Sequence, residues 1–273
     1  MKTAYFLLLP VLFAAAPALA QEGDFNGLYV GGSIGFTAQP NDRRSSVLFD
    51  TNRDGVFGDT VRTAAGANAF STGFCGGAAT GAAAADGCRS DKDDAEYFGH
   101  VGADTQFGKL VVGVVGEFGK SEARDSVTAF STTPASYTLE RRFRYNAAVR
   151  GRVGFTPNNS TLFYATGGGT YAKVRNRFFT TNTANAFSTN GNSDVWGYQA
   201  GGGVEQRVMR NFSVGLQYLF TTYEDNEFRV TAARGNAAAT NPFILVNAGG
   251  TDFARSDQTF RTHSIRITGS LRF

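Results

Sequence analysis

The sequence has little of what several functional classes require. It contains two cysteines and two histidines, which excludes a disulfide-rich scaffold and leaves little for a histidine-based metal site. Lysine and arginine number 26 against 23 aspartate and glutamate, so the concentrated basic surface of a nucleic-acid-binding protein is not predicted. Beyond residue 20 the sequence has no run of about 18 apolar residues, which argues against a membrane-spanning helix.

The first 20 residues have the pattern of a secretory signal peptide. Lys2 provides a basic start, residues 5–16 form an apolar run, and Ala-Leu-Ala at 18–20 matches a small-residue cleavage site. Cleavage there leaves 253 residues (273 − 20) with a net charge of +2 (25 − 23). We therefore predict a signal peptide over 1–20 and a single exported domain over 21–273.

Alternation of apolar and polar residues dominates the exported part of the chain. This period of two is typical of strands with two unlike faces, and polar or glycine-rich stretches separate the alternating segments. Eight strands are predicted, at 27–38, 94–107, 109–122, 138–155, 161–177, 194–208, 211–227 and 258–273. The four prolines beyond residue 20 all fall between these segments, where a missing backbone donor has no cost.

The links between the predicted strands alternate in length. Strands two and three, four and five, and six and seven are joined by one to about five residues. The other links are long, at about 39–93, 123–137, 178–193 and 228–257. Short turns at one end and long loops at the other predict an eight-stranded antiparallel up-and-down β-barrel. Such a barrel spans a bacterial outer membrane with its long loops outside the cell.

A soluble barrel would show the same alternation with inside and outside exchanged, and two features favour the membrane form. Glycine is abundant, at 34 residues, and glycines that include Gly167 and Gly169 are predicted on the polar face, as a narrow interior requires. Aromatic residues on the apolar face fall at two heights, like the girdles of an outer-membrane barrel. The predicted turn-end girdle comprises Phe107, Phe155, Tyr164, Phe212 and Phe273. The predicted loop-end girdle comprises Phe36, Phe118, Phe143, Trp196, Tyr198, Tyr218 and Phe220.

Four stretches carry a family resemblance. They are Asp-Phe-Asn-Gly-Leu-Tyr-Val-Gly-Gly at 24–32, Tyr-Ala-Thr-Gly-Gly at 164–168, Gly-Gly-Val-Glu at 202–205, and the segment 263–273. In this order they resemble the OmpA-like, opacity-porin-like β-barrel group, particularly its alphaproteobacterial outer-membrane proteins. The resemblance implies a structural protein that supports the envelope and displays surface loops. It also implies outer-membrane lipid as the surroundings, and Phe273 as the aromatic signal read by the barrel-assembly machinery.

Charged residues are predicted on the inward face of the barrel. The predicted lumen network consists of Asp104, Glu117, Arg144, Arg150, Arg152, Glu205, Arg207 and Arg266. Because an unpaired charge in a narrow interior is costly, these groups must be paired or hydrated. A salt-bridged plug is the favoured interpretation. The alternative is a small passive channel, for which the excess of basic over acidic residues on this face predicts a weak anion preference. Adhesion through the loops, including the apolar run at 243–246, is a third hypothesis.

The first long loop contains a partial calcium motif. Asp50, Asn52 and Asp54 have the spacing of oxygen ligands in a calcium-binding loop. The twelfth position, where the motif requires glutamate, is Val61, and Asp59 is the available substitute. The same string is typical of an ordinary surface turn, which is the favoured interpretation over calcium binding.

Two further predictions concern cysteine and catalysis. Cys75 and Cys88 are predicted to form a disulfide, since an exported protein folds in an oxidising compartment. His263 and Ser264 are adjacent in a predicted strand, so their side chains point to opposite faces and cannot form a catalytic dyad. His100 is best explained as a further member of the lumen network. We expect no enzymatic activity and no required cofactor.

Overall fold

The computed structural model describes residues 25–39, 45–91 and 93–273 of the chain. The predicted signal peptide lies outside these residues. The described strands are β1 (Gly27–Ala38), β2 (Val47–Asp50), β3 (Phe74–Gly76), β4 (Ala78–Ala79), β5 (Cys88–Arg89), β6 (Asp94–Phe107), β7 (Leu110–Ser121), β8 (Arg124–Ser131), β9 (Ala135–Phe155), β10 (Thr161–Thr180), β11 (Ala186–Thr189), β12 (Ser193–Arg207), β13 (Phe212–Glu224), β14 (Val230–Ala233), β15 (Thr251–Arg255) and β16 (Thr259–Arg272). Two short 3-10 helices lie at Ala84–Asp86 and Pro242–Ile244. Neither of these is long and apolar enough to cross a membrane.

Eight strands close into an antiparallel barrel. The sheet order runs β10, β12, β13, β16, β1, β6, β7 and β9, and β9 also pairs with β10, which completes the ring. The first and last strands meet at a seam where Tyr29 lies opposite Arg272 and Ala38 opposite His263. The closed ring leaves no unpaired sheet edge within the barrel, as a lipid environment requires. The predicted eight-stranded barrel is confirmed, with strand ends within a few residues of the predicted bounds.

The outward face of the barrel is apolar. Ile34, Val101 and Ile265 are 67%, 58% and 59% exposed, a pattern that water would penalise and that lipid favours. Toward the loop end a chain of aromatic rings crosses neighbouring strands. The ring centroids lie 5.7 Å apart for Phe118 and Tyr145, 6.2 Å for Tyr145 and Tyr171, and 5.1 Å for Tyr171 and Trp196. These four residues are called the upper girdle below.

A β-bulge in β9 changes which residues face the lumen. The register between β9 and β10 shifts between Lys173 and Val174, and Arg144 has no partner in that register. An extra residue reverses the inward and outward alternation beyond it. Arg144 is therefore exposed, which corrects its predicted place in the lumen. Phe143 is only 2% exposed and packs inside, so its predicted place in the outer girdle is also wrong.

The alternation in β10 also differs from the prediction. Tyr164 faces inward, where its ring lies 5.1 Å from the guanidinium carbon of Arg152, and is not part of the turn-end girdle. Gly167 and Gly169, expected inside, lie on the exposed face. The run of glycine at 167–169 has no side chains to mark the two faces, so the alternation there is ambiguous in sequence.

The long loops form a second β-structure outside the barrel. We call it the surface cap and define it as β2–β5, β8, β11, β14, β15 and the distal ends of β9 and β10. β8 pairs with the distal half of β9, and β11, β14, β15 and β2 form a separate four-stranded sheet. These elements share one apolar core, comprising Val47, Phe49, Val61, Ala69, Phe70, Val127, Ala129, Ala135, Tyr137, Leu139, Phe228, Val230, Ala232, Phe243 and Phe253. Segments expected only to be loops thus pack into a folded unit.

Candidate functional site: the filled lumen and the surface cap

A lower charge network lies near the turn end of the lumen. Arg152 Nε donates to Asp104 Oδ1 at 2.8 Å, and Arg152 Nη1 donates to Glu205 Oε2 at 2.9 Å. Arg272 Nη2 donates to Asp104 Oδ2 at 2.9 Å, and Ser213 donates to Glu205 at 2.7 Å. The two arginines balance the two carboxylates, so this buried layer adds no net charge.

A middle network lies farther along the lumen. Arg266 Nε donates to Glu96 Oε1 at 2.6 Å, and Arg266 Nη1 donates to Glu117 Oε1 at 3.1 Å. Arg150 Nη2 donates to Glu117 Oε2 at 2.7 Å, and a second Arg150 nitrogen donates to Gln199. All four charged residues are at most 7% exposed. The two charges of each sign again cancel, which removes the excess of positive charge on which a weak anion preference was predicted.

The predicted lumen residues therefore divide into three groups. The networks bring together Asp104, Glu117, Arg150, Arg152, Glu205 and Arg266. Arg207 lies apart from them, where it donates to the carbonyl of Arg210 and its guanidinium carbon is 5.8 Å from the ring of Phe25. Arg144 lies outside the lumen. Glu96 was missed, although it shares the inward alternation of His100 and Asp104 on the same predicted strand.

A small cavity separates the two networks. It has a volume of about 30 Å³ and is lined by Tyr29, His100, Glu117, Arg152 and other inward residues. His100 Nε2 is 2.9 Å from the hydroxyl of Ser270, so its hydrogen bond goes to this serine. A cavity of this volume holds on the order of one or two water molecules.

An apolar layer closes the lumen beyond the middle network. It comprises Phe143, Ala172, Val174, Val195, Tyr223 and Phe260, none more than 2% exposed. The rings of Phe143 and Phe260 stack with centroids 4.4 Å apart and an angle of 2° between their planes. The bulge at Arg144 turns Phe143 inward, so that its ring becomes part of this apolar layer.

An upper network joins the barrel to the surface cap. Asp125 of β8 accepts hydrogen bonds from Arg141 Nε and Arg255 Nη2, both at 2.6 Å. Arg255 Nη1 also donates to the carbonyl of Leu139 at 2.9 Å. Burial alone would raise the pKa of the Asp125 carboxyl, but Arg141 and Arg255 hold that pKa below its ordinary value. The carboxylate is therefore a charged link between β8, β9 and β15.

This link is expected to make the cap sensitive to acid. Because the pKa of Asp125 is lower in the folded state, its contribution is present above the unfolded value of about 3.9 and is lost as pH falls through the folded value. Pepsin cleavage of the cap should accelerate as pH falls from 4 to 2, after correction with a denatured substrate. Asp125→Asn should remove this acid-dependent part, whereas Glu227→Gln, an exposed carboxylate of the cap, should retain it. Equal acid dependence in both variants would contradict the assignment.

The candidate calcium ligands Asp50, Asn52, Asp54 and Asp59 lie together in a turn after β2. Asp50 Oδ1 and Oδ2 accept the backbone N–H groups of Arg53 and Gly55 at 2.6 and 2.8 Å. Asp59 Oδ2 accepts both the N–H and the hydroxyl of Thr51, at 2.9 and 2.7 Å. Residues 25–39, 45–91 and 93–273 contain no group of three acidic, histidine or cysteine side chains arranged for a metal ion. Such hydrogen bonds from a carboxylate to nearby N–H and hydroxyl groups are typical of a surface turn.

The predicted disulfide is confirmed. Cys75 and Cys88 are bonded, with their Cα atoms 6.5 Å apart. Cys75 lies in β3, which pairs with β8, and Cys88 lies in β5, which pairs with β4. The bridge therefore fastens a short glycine- and alanine-rich hairpin to the edge of the surface cap.

The remaining sequence candidates lie at the two ends of the molecule. Phe273 is 73% exposed on the outer face, and its N–H donates to the carbonyl of Leu28 at 2.8 Å. Its role as an assembly signal stays a prediction.

Within the apolar run at 243–246, Phe243 is buried in the cap core, and Leu245 and Val246 are 42% and 64% exposed. Adhesion through this run stays a prediction that rests on a small apolar patch.

Comparison with known proteins gives curated relatives that are outer-membrane proteins. The chain is 31% identical over 141 residues to the 22 kDa outer membrane protein of Rhizobium leguminosarum bv. viciae, a match that covers 51% of this chain and 58% of the relative. It is 28% identical over 112 residues to the 31 kDa outer-membrane immunogenic protein of Brucella melitensis, covering 41% of this chain and 46% of that protein. The chain thus spans about half the length of the curated relatives it matches.

Structure and family comparisons agree with this placement. The crystal structure of the outer membrane protein OprG from Pseudomonas aeruginosa superimposes with a TM-score of 0.50 at 11% identity, over 93% of this chain and 100% of OprG. At that identity the likeness shows the fold alone. The sequence model of the family described as outer membrane protein beta-barrel domain matches residues 60–273, more than three quarters of the chain. The chain belongs to this outer-membrane β-barrel family, in the form found in small alphaproteobacterial outer-membrane proteins.

Proposed function

We propose that this protein is a closed structural barrel that supports the outer membrane and holds a folded β-cap at the cell surface. The observation that carries the proposal is the filled lumen. Lower, middle and upper charge networks and one apolar layer occupy the barrel from its turn end to the cap. Such paired and packed interiors stiffen a barrel and leave little room for water.

The same observations argue against the porin alternative. A conducting pore requires a connected column of hydrated space lined by accessible polar groups. The cavity between the lower and middle networks, at about 30 Å³, provides room for very few waters. Beyond it the stacked rings of Phe143 and Phe260 and the cap core lie across the path.

A non-enzymatic role is part of the proposal. The Tyr218 hydroxyl is 2.7 Å from His263 Nδ1 on the outward face. Ser264 instead donates to Glu96 Oε2 inside the barrel, at 3.1 Å. Histidine and serine thus lie on opposite sides of the barrel wall, and Glu96, the carboxylate that Ser264 contacts, is paired with Arg266.

Single-channel recording tests the proposal. The mature protein, refolded and checked by its heat-dependent gel shift, should give no unitary current steps in a planar bilayer, because the packed layers block ion passage. A known porin inserted in the same bilayers controls for their integrity. Reproducible steps with a mild anion preference would establish the small-porin alternative and refute the closed barrel.

A further inference from the structure

The outer wall of β8, β9 and β10 carries an unusual concentration of positive charge just beyond the upper girdle. We call it the arginine shelf; its members are Arg124, Arg142, Arg144, Arg175 and Arg177. In the sheet register Arg124 lies opposite Arg142, and Arg142 lies opposite Arg175. Three arginines therefore stand side by side on three adjacent strands, an arrangement that like-charge repulsion disfavours.

The shelf keeps a positive charge within the part of the chain that the structure describes. Among the described residues, none of its five arginines forms an ion pair. Glu122 pairs with Lys120 and Asp194 pairs with Lys173, while Glu140 lies opposite Arg177 in the register.

The electrostatics at the centre of the shelf are repulsive. Burial lowers the pKa of the Arg142 guanidinium, and the neighbouring charges of Arg177, Arg175 and Arg124 lower it further. Glu140 opposes this effect. Arg124 Nε is buried and has no hydrogen-bond partner among the described residues, although buried donors in folded proteins are rarely left unsatisfied. These features together favour an anion as the ligand of the shelf.

The shelf also has the shape and position of a binding site. A recess of about 420 Å³ is lined by Lys120, Arg142, Arg144, Arg175 and neighbouring groups, within the range of small-molecule sites in proteins. Along β10, Arg175 is four residues beyond the girdle residue Tyr171. At ~3.3 Å per residue and a tilt of ~40°, this places Arg175 roughly 10 Å beyond the girdle. Aromatic girdles flank the apolar band at its two interfaces, so the recess lies on the headgroup side of the extracellular leaflet.

We propose that the arginine shelf binds the phosphate groups of a phosphorylated lipid in the extracellular leaflet. Guanidinium groups recognise phosphate through paired, charge-assisted hydrogen bonds, and several arginines on one surface suit a headgroup with more than one phosphate. Arg142 and Arg175 face each other across the strands and bind one phosphate, while Arg144 and Lys120 at the edge of the recess bind its neighbour. The acyl chains then lie along the apolar wall below, against the upper girdle. The proposal requires outer-membrane placement and is independent of whether the lumen conducts.

Lipid titration of the refolded protein tests the shelf. The mature protein in neutral detergent is titrated with bisphosphorylated lipid A and with dephosphorylated lipid A, and dissociation constants are measured by native mass spectrometry. The bisphosphorylated lipid should bind at least tenfold more tightly. The variant Arg142→Gln, Arg144→Gln, Arg175→Gln should lose at least tenfold in affinity for it. The corresponding triple lysine variant should recover part of that loss, because it restores the charge without the planar guanidinium.

A matched variant controls for net charge. Arg62→Gln, Arg89→Gln, Arg261→Gln removes the same three charges from exposed sites elsewhere and should bind lipid like the unmodified protein. The heat-dependent gel shift establishes that every variant is folded, and the lysine variant serves as the test if the glutamine variant does not fold. Equal binding of the two lipids, or equal losses in the two glutamine variants, would overturn the proposal. Preferential binding of a soluble sulfated polysaccharide over the phosphorylated lipid would overturn it as well.

Discussion

Replacing Arg266 with methionine is expected to lower the free energy of unfolding of the barrel by about 3–5 kcal/mol. Arg266 is 2% exposed and pairs with both Glu96 and Glu117. Without it, Glu117 keeps Arg150, but Glu96 keeps only hydroxyl donors such as Ser264. A buried carboxylate without its cation is costly, because hydroxyl groups replace only part of its lost hydration.

Urea titration in lipid vesicles measures this effect. The protein has a single tryptophan, Trp196, which is 65% exposed on the lipid side, so its fluorescence reports whether the barrel is inserted. Arg261→Met on the same strand is the matched control, since Arg261 is exposed on the outward face; a change below about 0.5 kcal/mol is expected. Glu96→Gln combined with Arg266→Met should recover part of the loss. Similar losses for Arg266→Met and Arg261→Met would show that the middle network is not stabilised by its ion pairs.

Replacing Phe253 with alanine is expected to destabilise the surface cap by about 3–5 kcal/mol while the barrel stays folded. Phe253 is fully buried, and its ring centroid lies 5.0 Å from that of Phe49, 5.3 Å from Phe243 and 5.9 Å from Tyr137. Removing the ring leaves a cavity at the point where the two sheets of the cap meet. Hydrogen exchange of cap amides should therefore accelerate, whereas amides of the barrel strands should remain protected.

The control for this experiment lies in the same cap. Val56 is 69% exposed, and Val56→Ala should leave amide exchange in the cap almost unchanged. The heat-dependent gel shift of both variants should match that of the unmodified protein. If Phe253→Ala also abolished the gel shift, the cap and the barrel would be one cooperative unit, contrary to this expectation.

The barrel could be predicted from sequence because a membrane constrains every second residue. In β16, Ile265, Ile267 and Leu271 face outward while Arg266 and Arg272 face inward, and this contrast is evident in the sequence itself. Six members of the predicted lumen network come together for the same reason. Each lies on a strand segment without a bulge, where the alternation is uninterrupted.

The orientation of the residues around the bulge in β9 depends on contacts that local alternation does not encode. The bulge in β9 occurs within a run of four charged or aromatic residues, Arg141 to Arg144. Whichever alternate residues of this run face the lumen, at least one arginine lies inside. In the structure Arg141 faces inward, and its Nε lies 2.6 Å from Asp125 Oδ2. Asp125 belongs to a segment that the sequence predicts only as a loop. Such pairing between segments stabilises the alternation that β9 adopts, and the sequence of the strand alone does not reveal it.

The surface cap could not be predicted from the sequence for a related reason. Its strands are two to eight residues long, too short for a clear period, and several of them pair with segments far away in the chain. β2 pairs with β15, so Phe49 lies opposite Phe253. Only the disulfide between Cys75 and Cys88 indicated that the first loop is ordered.

The pairing of β2 with β15 also sets the order of events during biogenesis. β2 follows the first barrel strand and β15 precedes the last, so we expect them to pair after the seam between β1 and β16 brings the two ends of the chain side by side. Contacts between such distant segments form late, because the intervening chain must first be organised. The assembled cap is consequently a marker of completed insertion. An antibody specific for its folded form would report how many barrels in a living cell have finished closing.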